Sequence, residues 1–375
     1  MTRFPSWLVL CKCLCGLCCL GELRAQNIPT TLPAVPEITS TGTVVFRHRA
    51  PQAKEVKAVG QFGEAVMMKK GENGIWTGTT AAAVKTGIYE YFFMVDGMQV
   101  IDAMNSMIKP QRSPSSSILH IAATPPAPWD LQAIPHGTLH THGYQAKALN
   151  GAYRELVVYT PPNYVAGSKK WPVMYLSHGF SDNEKSWSVH GKAHWILDDL
   201  IAKGKAKPMI VVMPDAHAVP VPLPPGKYDK YSSENSPAFR REMLEDIIPL
   251  IDANYSTSAQ RQDRAFAGLS MGGHHALMLG LLEHRSFGAI GSFSAAPPDA
   301  KDVQVALDQS DAVNTDLSLL WIACGKNDFL YQRNVQFEKI IEKAGIKHTF
   351  QTTEGDHSWP VWRRYLVEFA PLLFN

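Results

Sequence analysis

An α/β fold with a mainly parallel sheet covered by helices on both faces, preceded by a small β-sandwich, is what this sequence predicts. Three observations carry the prediction. From residue 172 to residue 352, short and nearly continuous apolar runs alternate with longer helical patterns, as strands buried on both faces do. From about residue 41 to 121 the runs are short and strand-like, broken by Gly, Asp, Asn and Pro turns. A Pro-rich stretch, 122–135, separates the two patterns. The 375 residues suit two domains, and a 45% apolar composition supplies their cores. The formal net charge of +2 gives no global reason to expect nucleic acid or an anionic surface as partner.

Residues 1–25 read as a secretory signal peptide: Arg3, an apolar segment over Leu14–Leu20, and a cleavage site after Leu23-Arg24-Ala25. The segment is too short to remain as a bilayer span. A secreted or periplasmic protein is the expectation, although Lys12 interrupts the segment and Leu23 is large for its place. Five of the six cysteines lie inside it, so the mature chain would keep Cys324 alone, without an intramolecular disulfide. Burial is expected for that thiol. Residues 26–40 are expected to form a flexible tail.

The stretch 41–121 contains strand-like runs at Thr43–Phe46, Glu55–Val59, Ile75–Gly78 and Gly87–Val95, joined by turns such as Asn73-Gly74 and Asp96-Gly97. The pattern from Ala50-Pro51 through Gly74-Ile75-Trp76 to Tyr89–Gly97 and Asp102 resembles the early-set, immunoglobulin-like domains classed as family-48 carbohydrate-binding modules. That resemblance implies contact with glucan or xylan through exposed aromatics. The alternation of Trp76, Tyr89, Tyr91 and Phe93 favours core packing instead, in which case the domain only shapes the entrance to a site elsewhere.

The second domain, 136–375, begins with an antiparallel edge pair, Gly137–Ala146 and Arg154–Thr160. Buried strands follow at Pro172–Leu176, Met209–Met213, Arg264–Ala267, Ala289–Phe293, Leu319–Ala323 and Thr349–Thr352. Helices are expected over 193–202, 238–251, from Met271, over 332–344 and from Pro360.

Ala265–Gly273 is an apolar run ending in Gly268-Leu269-Ser270-Met271-Gly272 and passing into a helix. A serine hydroxyl is a poor nucleophile unless held beside a base, and a sharp strand-to-helix turn projects it above a sheet edge. In parallel sheets reactive groups collect at the carboxyl ends of strands. Applying that rule selects Asp328 after the strand ending at Gly325, and His357 after the strand ending at Thr353. Ser270, Asp328 and His357 stand in the chain order of an α/β-hydrolase. Nucleophile, orienting acid and general base are the roles they would fill in acyl transfer.

Other readings compete at several positions. Asp328 could merely cap the next helix, and Asp299, Asp311 and Asp316 are rival acids on a polar insertion. Asp356 is expected to brace its loop, His274 and His275 to pack, and His178 to support its turn. Two backbone donors are needed for the oxyanion, and the amides of Met271 and Phe180 suit that need.

Tyr159–Tyr164, Pro172–Gly179, Trp187, Pro208–Pro214, Gly268–Gly273, and Asp356–Trp359 with Trp362-Arg363 resemble the esterase D-like family. With a family-48-like module in front, the chain is similar to bacterial feruloyl esterases of carbohydrate esterase family one. The resemblance implies a substrate, a hydroxycinnamate ester of plant arabinoxylan, and no metal or organic cofactor. An acetylxylan esterase, a siderophore-lactone esterase, an acyltransferase and a catalytically silent sugar binder are the alternatives. Trp187 and Trp359 could flank an aromatic acyl group or simply be buried. Residues 218–225 depart from the family pattern, which leaves preference open. If the N-terminal module binds xylan, deleting residues 26–122 should weaken that binding more than it slows small esters.

Overall fold

The computed structural model describes residues 36–220 and 228–375. The signal-peptide reading, the tail up to residue 35 and part of the 218–225 stretch lie outside them. Nine strands of the N-terminal region are described: β1 (Glu37–Ile38), β2 (Val44–Arg49), β3 (Val56–Gly60), β4 (Val66–Met67), β5 (Lys69–Lys70), β6 (Ile75–Thr79), β7 (Gly87–Val95), β8 (Met98–Val100) and β9 (Ser117–Ile121). They form two antiparallel sheets, one ordered β1-β2-β6-β5 and the other β4-β3-β7-β8 with β9 also on β7. Alternate residues point inward, and Val44, Phe46, Val56, Ala58, Trp76, Tyr91 and Phe93 share one core. Tyr91 and Phe93 meet edge to face, and the Trp76 indole donates to the Ala50 carbonyl at 2.9 Å. Three of the four aromatics singled out in the sequence are thus core residues, while Tyr89 is half-buried with its hydroxyl on the Lys85 carbonyl.

The second sheet comprises β10 (Thr138–Ala146), β11 (Ala152–Thr160), β12 (Val173–Ser177), β13 (Ile210–Pro214), β14 (Arg264–Leu269), β15 (Ala289–Phe293), β16 (Leu319–Gly325) and β17 (Thr349–Thr353). Its order is β10-β11-β13-β12-β14-β15-β16-β17, antiparallel at the β10 edge and parallel from β13 onward. All eight strands lie where the apolar runs predict them. Successive side chains of one strand feed opposite cores. Tyr175 and Phe266 belong to the core under α2 (Tyr228–Glu242), α3 (Ile248–Asn254) and α4 (Met271–Leu282), whereas Met174 and Ala267 belong to the core under α1 (Ala193–Ala202) and α6 (Trp359–Phe369). Helix α5 (Tyr331–Lys343) completes the first layer through Phe337 and Ile341.

One element runs longer than the sequence predicts. The helix expected over 238–251 begins at Tyr228, continues past Pro237, and passes through a π-helical stretch, Met243–Ile247, into α3. A proline forfeits one hydrogen bond inside a helix. Buried Tyr231, Asn235, Ala238 and Phe239, spaced i, i+4, i+7 and i+8, hold this helix by one face nonetheless.

The stretch 122–135 has no strand or helix, as its prolines suggest, yet it is tied down. The Asp130 carboxylate accepts the amides of Ala123 and Ala127 at 2.9 and 2.8 Å and contacts His120 Nε2 at 2.7 Å, and Gln132 donates to Asp199 at 2.8 Å. Both regions belong to one compact unit, Val35–Asn375. Among the described residues no helix is long and apolar enough to cross a membrane.

Candidate active site

The turn from β14 into α4 is as tight as its glycines imply. Ser270 sits at φ 52° and ψ −110°, in the left-handed half of backbone space that costs a side-chain-bearing residue energy. A Cβ on Gly268 would lie 2.5 Å from the Gly272 backbone, and one on Gly272 would lie 2.5 Å from the Ser177 carbonyl oxygen. The turn holds because the Ser270 amide donates to the Phe293 carbonyl at 2.8 Å while its own carbonyl accepts the His274 amide at 3.0 Å.

Three side chains far apart in sequence meet above this turn. His357 Nε2 lies 3.0 Å from Ser270 Oγ, and His357 Nδ1 lies 2.9 and 3.0 Å from the two oxygens of Asp328. Asp328 also accepts the Leu330 amide at 2.8 Å, so it braces the approach to α5 and orients the imidazole at once. Burial opposes its ionisation, but the hydrogen bonds from His357 and from the Leu330 amide outweigh burial and hold the carboxyl below its ordinary range. An ionised carboxylate on Nδ1 fixes the tautomer whose Nε2 can accept the serine proton.

Met271 opens α4, so its amide is among the first-turn donors without an intrahelical acceptor. Phe180 follows Gly179, where a Cβ would stand 3.6 Å from that of Ser270. The structure therefore sets Gly179, the residue before Phe180, beside Ser270, the residue before Met271. His178 accepts the Ala216 amide at 2.9 Å and contacts the Gly179 carbonyl at 2.8 Å, locking the turn between them. His217 packs its ring against Phe180 and contacts the Tyr231 hydroxyl; burial and the neighbouring His178 hold it down to about 3.

Other expectations fall out as follows. Asp316 pairs with His284, Ser358 Oγ donates to Asp356, and His274 contacts the Ala296 carbonyl, all structural contacts. Cys324 is buried, and burial with the nearby Asp328 pushes its thiol up to about 12.

Trp187 and Trp359 require a correction as acyl-flanking residues. They are 1% and 4% exposed, their rings meet edge to face at 5.1 Å, and the Trp187 indole donates to the Ser177 carbonyl at 2.9 Å. They stiffen the layer beneath the site rather than line it. A cavity of about 510 Å³, bordered by Ser236, His274, Ala296, Asp302 and Arg333, opens beside α4.

Sequence reasoning, which allowed the N-terminal region a part in shaping the entrance, missed the residues that reach the site turn. The Arg112 amide donates to the Ser181 carbonyl and its Nε to the Phe180 carbonyl, each at 3.1 Å, with the guanidinium 4.8 Å from the Phe180 ring centroid. Ser186 Oγ donates to the Pro110 carbonyl at 2.9 Å. Pro110, Gln111 and Arg112 stand in no motif, and only the tertiary fold reveals them.

Comparison with known proteins agrees with this architecture. The Esterase family, described as "Putative esterase", matches residues 147–373. Over 354 residues, 91% of its length, the chain is 32% identical to an endo-1,4-beta-xylanase/feruloyl esterase of Xylanibacter ruminicola. It spans only 46% of that relative. A CE1 ferulic acid esterase from Anaeromyces mucronatus, solved without substrate and with ferulic acid, is 25% identical with a TM-score of 0.57, covering 65% of this chain and 93% of that one. The enterobactin esterase of Shigella flexneri shares the fold alone, at 18% identity and a TM-score of 0.60, over 88% of this chain and 93% of its own. With an α/β-hydrolase sheet in place and the match covering more than half its length, this chain belongs to the Esterase family.

Proposed function

We propose that this chain is a serine carboxylic-ester hydrolase that releases hydroxycinnamate from feruloylated plant arabinoxylan. The observation that carries the reaction class is the unbroken line from Asp328 through His357 to Ser270 Oγ, at 2.9 and 3.0 Å. The substrate class is supported by the xylanase/feruloyl esterase relative and by the ferulic acid complex of the fungal esterase.

In this reading His357 Nε2 takes the proton of Ser270 Oγ as the oxygen bonds to the ester carbonyl carbon. Negative charge moves to the carbonyl oxygen, where the amides of Met271 and Phe180 receive it. Collapse of the intermediate breaks the bond to the leaving alcohol, which takes the proton from His357. Water, deprotonated by the same imidazole, then bonds to the acyl carbon, and the bond to Ser270 Oγ breaks as that oxygen takes the proton back from His357. Asp328 stays ionised throughout and stabilises the imidazolium. The chain acts outside the cytoplasm if residues 1–25 are removed as a leader, and the N-terminal region serves by shaping the site entrance.

A panel of methyl ferulate, p-nitrophenyl acetate, acetylated xylan and feruloylated arabinoxylan tests the assignment. Ferulate release should exceed acetate release, and Ser270→Ala should lower it by at least about 10³-fold with folding intact. Comparable turnover in the variant would remove Ser270 as nucleophile, and a preference for acetylated xylan would replace the substrate.

A further inference from the structure

Phe329 directly follows Asp328 and is 75% exposed, the most exposed of the large apolar side chains among the described residues. Single exposed apolar residues are common and by themselves mean little. Position sets this one apart. Its ring centroid lies 4.5 Å from that of the His357 imidazole, inclined by 51°, while buried Trp362 meets the same imidazole edge-on at 5.0 Å. The base is held between one aromatic that is sealed in the core and one that is open to solvent.

The chemistry says which part of a substrate would meet that open ring. During acylation the Ser270 oxygen bonds to the acyl carbon, the bond from that carbon to the alcohol oxygen breaks, and the proton held on His357 Nε2 passes to that oxygen. The leaving oxygen must therefore come within hydrogen-bond reach of the imidazole, about 3 Å. A surface packed on the imidazole lies beside the alcohol half of the ester. The acyl half extends from the opposite side of the carbonyl carbon. An exposed aromatic face suits the apolar C–H face of a pyranose or furanose ring.

We propose that Phe329 is the platform on which the sugar of the leaving alcohol rests. The inference depends on the feruloylated arabinoxylan reading given above and assigns the sugar half of that substrate. It makes Phe329 a specificity residue for the alcohol, with no part in choosing the acid.

The test compares methyl ferulate with a feruloylated arabino-oligosaccharide, two esters that share the acyl group and differ in the alcohol. Phe329→Ala should lower the ratio of kcat/KM for the oligosaccharide over the methyl ester about tenfold, mainly through KM, and Phe329→Trp should preserve the ratio. An equal loss on both esters would overturn the proposal, because the ring would then only shield or support His357. A changed preference between methyl ferulate and methyl acetate, which share the alcohol, would place the ring on the acyl side and overturn it too. If the unaltered protein cleaves p-nitrophenyl acetate but neither ferulate ester, the feruloyl reading itself fails and the platform falls with it.

Discussion

In β2 the burial alternates, with Val44 and Phe46 inside and their neighbours only partly covered, whereas every residue of β12 and β14 is buried. The difference teaches where each region can do chemistry. A sheet covered on both faces can offer reactive groups only at its ends, and Ser270, Asp328 and His357 all stand beyond the carboxyl ends of their strands. A sandwich commits its aromatics inward, and Trp76, Tyr91 and Phe93 are spent on its own core. Its approach to the site is made by a loop, 109–112, instead of a sheet face.

The most severe way to break this comparison is to remove one side of it. Glu90 pairs with Lys109 at 2.9 Å and reaches buried His190 at 3.9 Å, and Arg363, 2% exposed, donates to the His190 carbonyl. Deleting residues 36–121 removes Glu90 and Lys109 together and leaves buried Arg363 without one of the two carboxylates, Glu90 and Asp130, that offset its charge. Stripping the partner from buried charge costs about 3–5 kcal/mol, so the truncated chain should melt roughly 10 °C lower and lose methyl ferulate turnover. Unchanged melting and turnover would restore the picture of a detachable module that the Pro-rich stretch first suggests.

A gentler cut replaces Arg112 by Ala, which removes the side-chain hydrogen bond to the Phe180 carbonyl. The guanidinium is exposed, so about 1 kcal/mol, or a fivefold fall in kcat, is expected, with KM little changed and partial recovery in Arg112→Lys. A change confined to KM would make Arg112 a substrate contact.

A third comparison separates the regions by acid. Burial holds His217 down to about 3 and His194 to about 4, and drives buried His190 and His275 well below their ordinary value. The unfolded chain takes up these protons near pH 6.5. Each folded value lies below the unfolded one, so stability falls as pH drops from about 6.5 toward 4. All four residues belong to the hydrolase region, where His48 and His120 are the sandwich's lesser counterparts. The melting temperature should decline between pH 7 and pH 5, and a flat profile there would count against the assignment.

Periodicity made the sheet legible, since six short apolar runs alternating with helical patterns, after one alternating edge pair, left little choice of element. The Gly-x-Ser-x-Gly spacing and the carboxyl-end rule were enough to pick out the residues that meet above the turn. What stayed hidden depended on three-dimensional neighbours. Nothing in Pro110-Gln111-Arg112 marks it as reaching the turn at Phe180, and Trp187 and Trp359 sit at helix starts, where exposure and burial look alike in sequence. Pro237 masked the length of α2 because its local cost is visible while the buried face that outweighs it is not.

Cys324 is fully buried at the end of β16, with its thiol pushed up to about 12, and no other cysteine occurs among the described residues. A sulfur that neither ionises near neutrality nor meets solvent resists oxidants, alkylating agents and thiol exchange alike. Oxidising and reducing surroundings should therefore leave the described fold equally intact, since it is held together without a sulfur–sulfur bond.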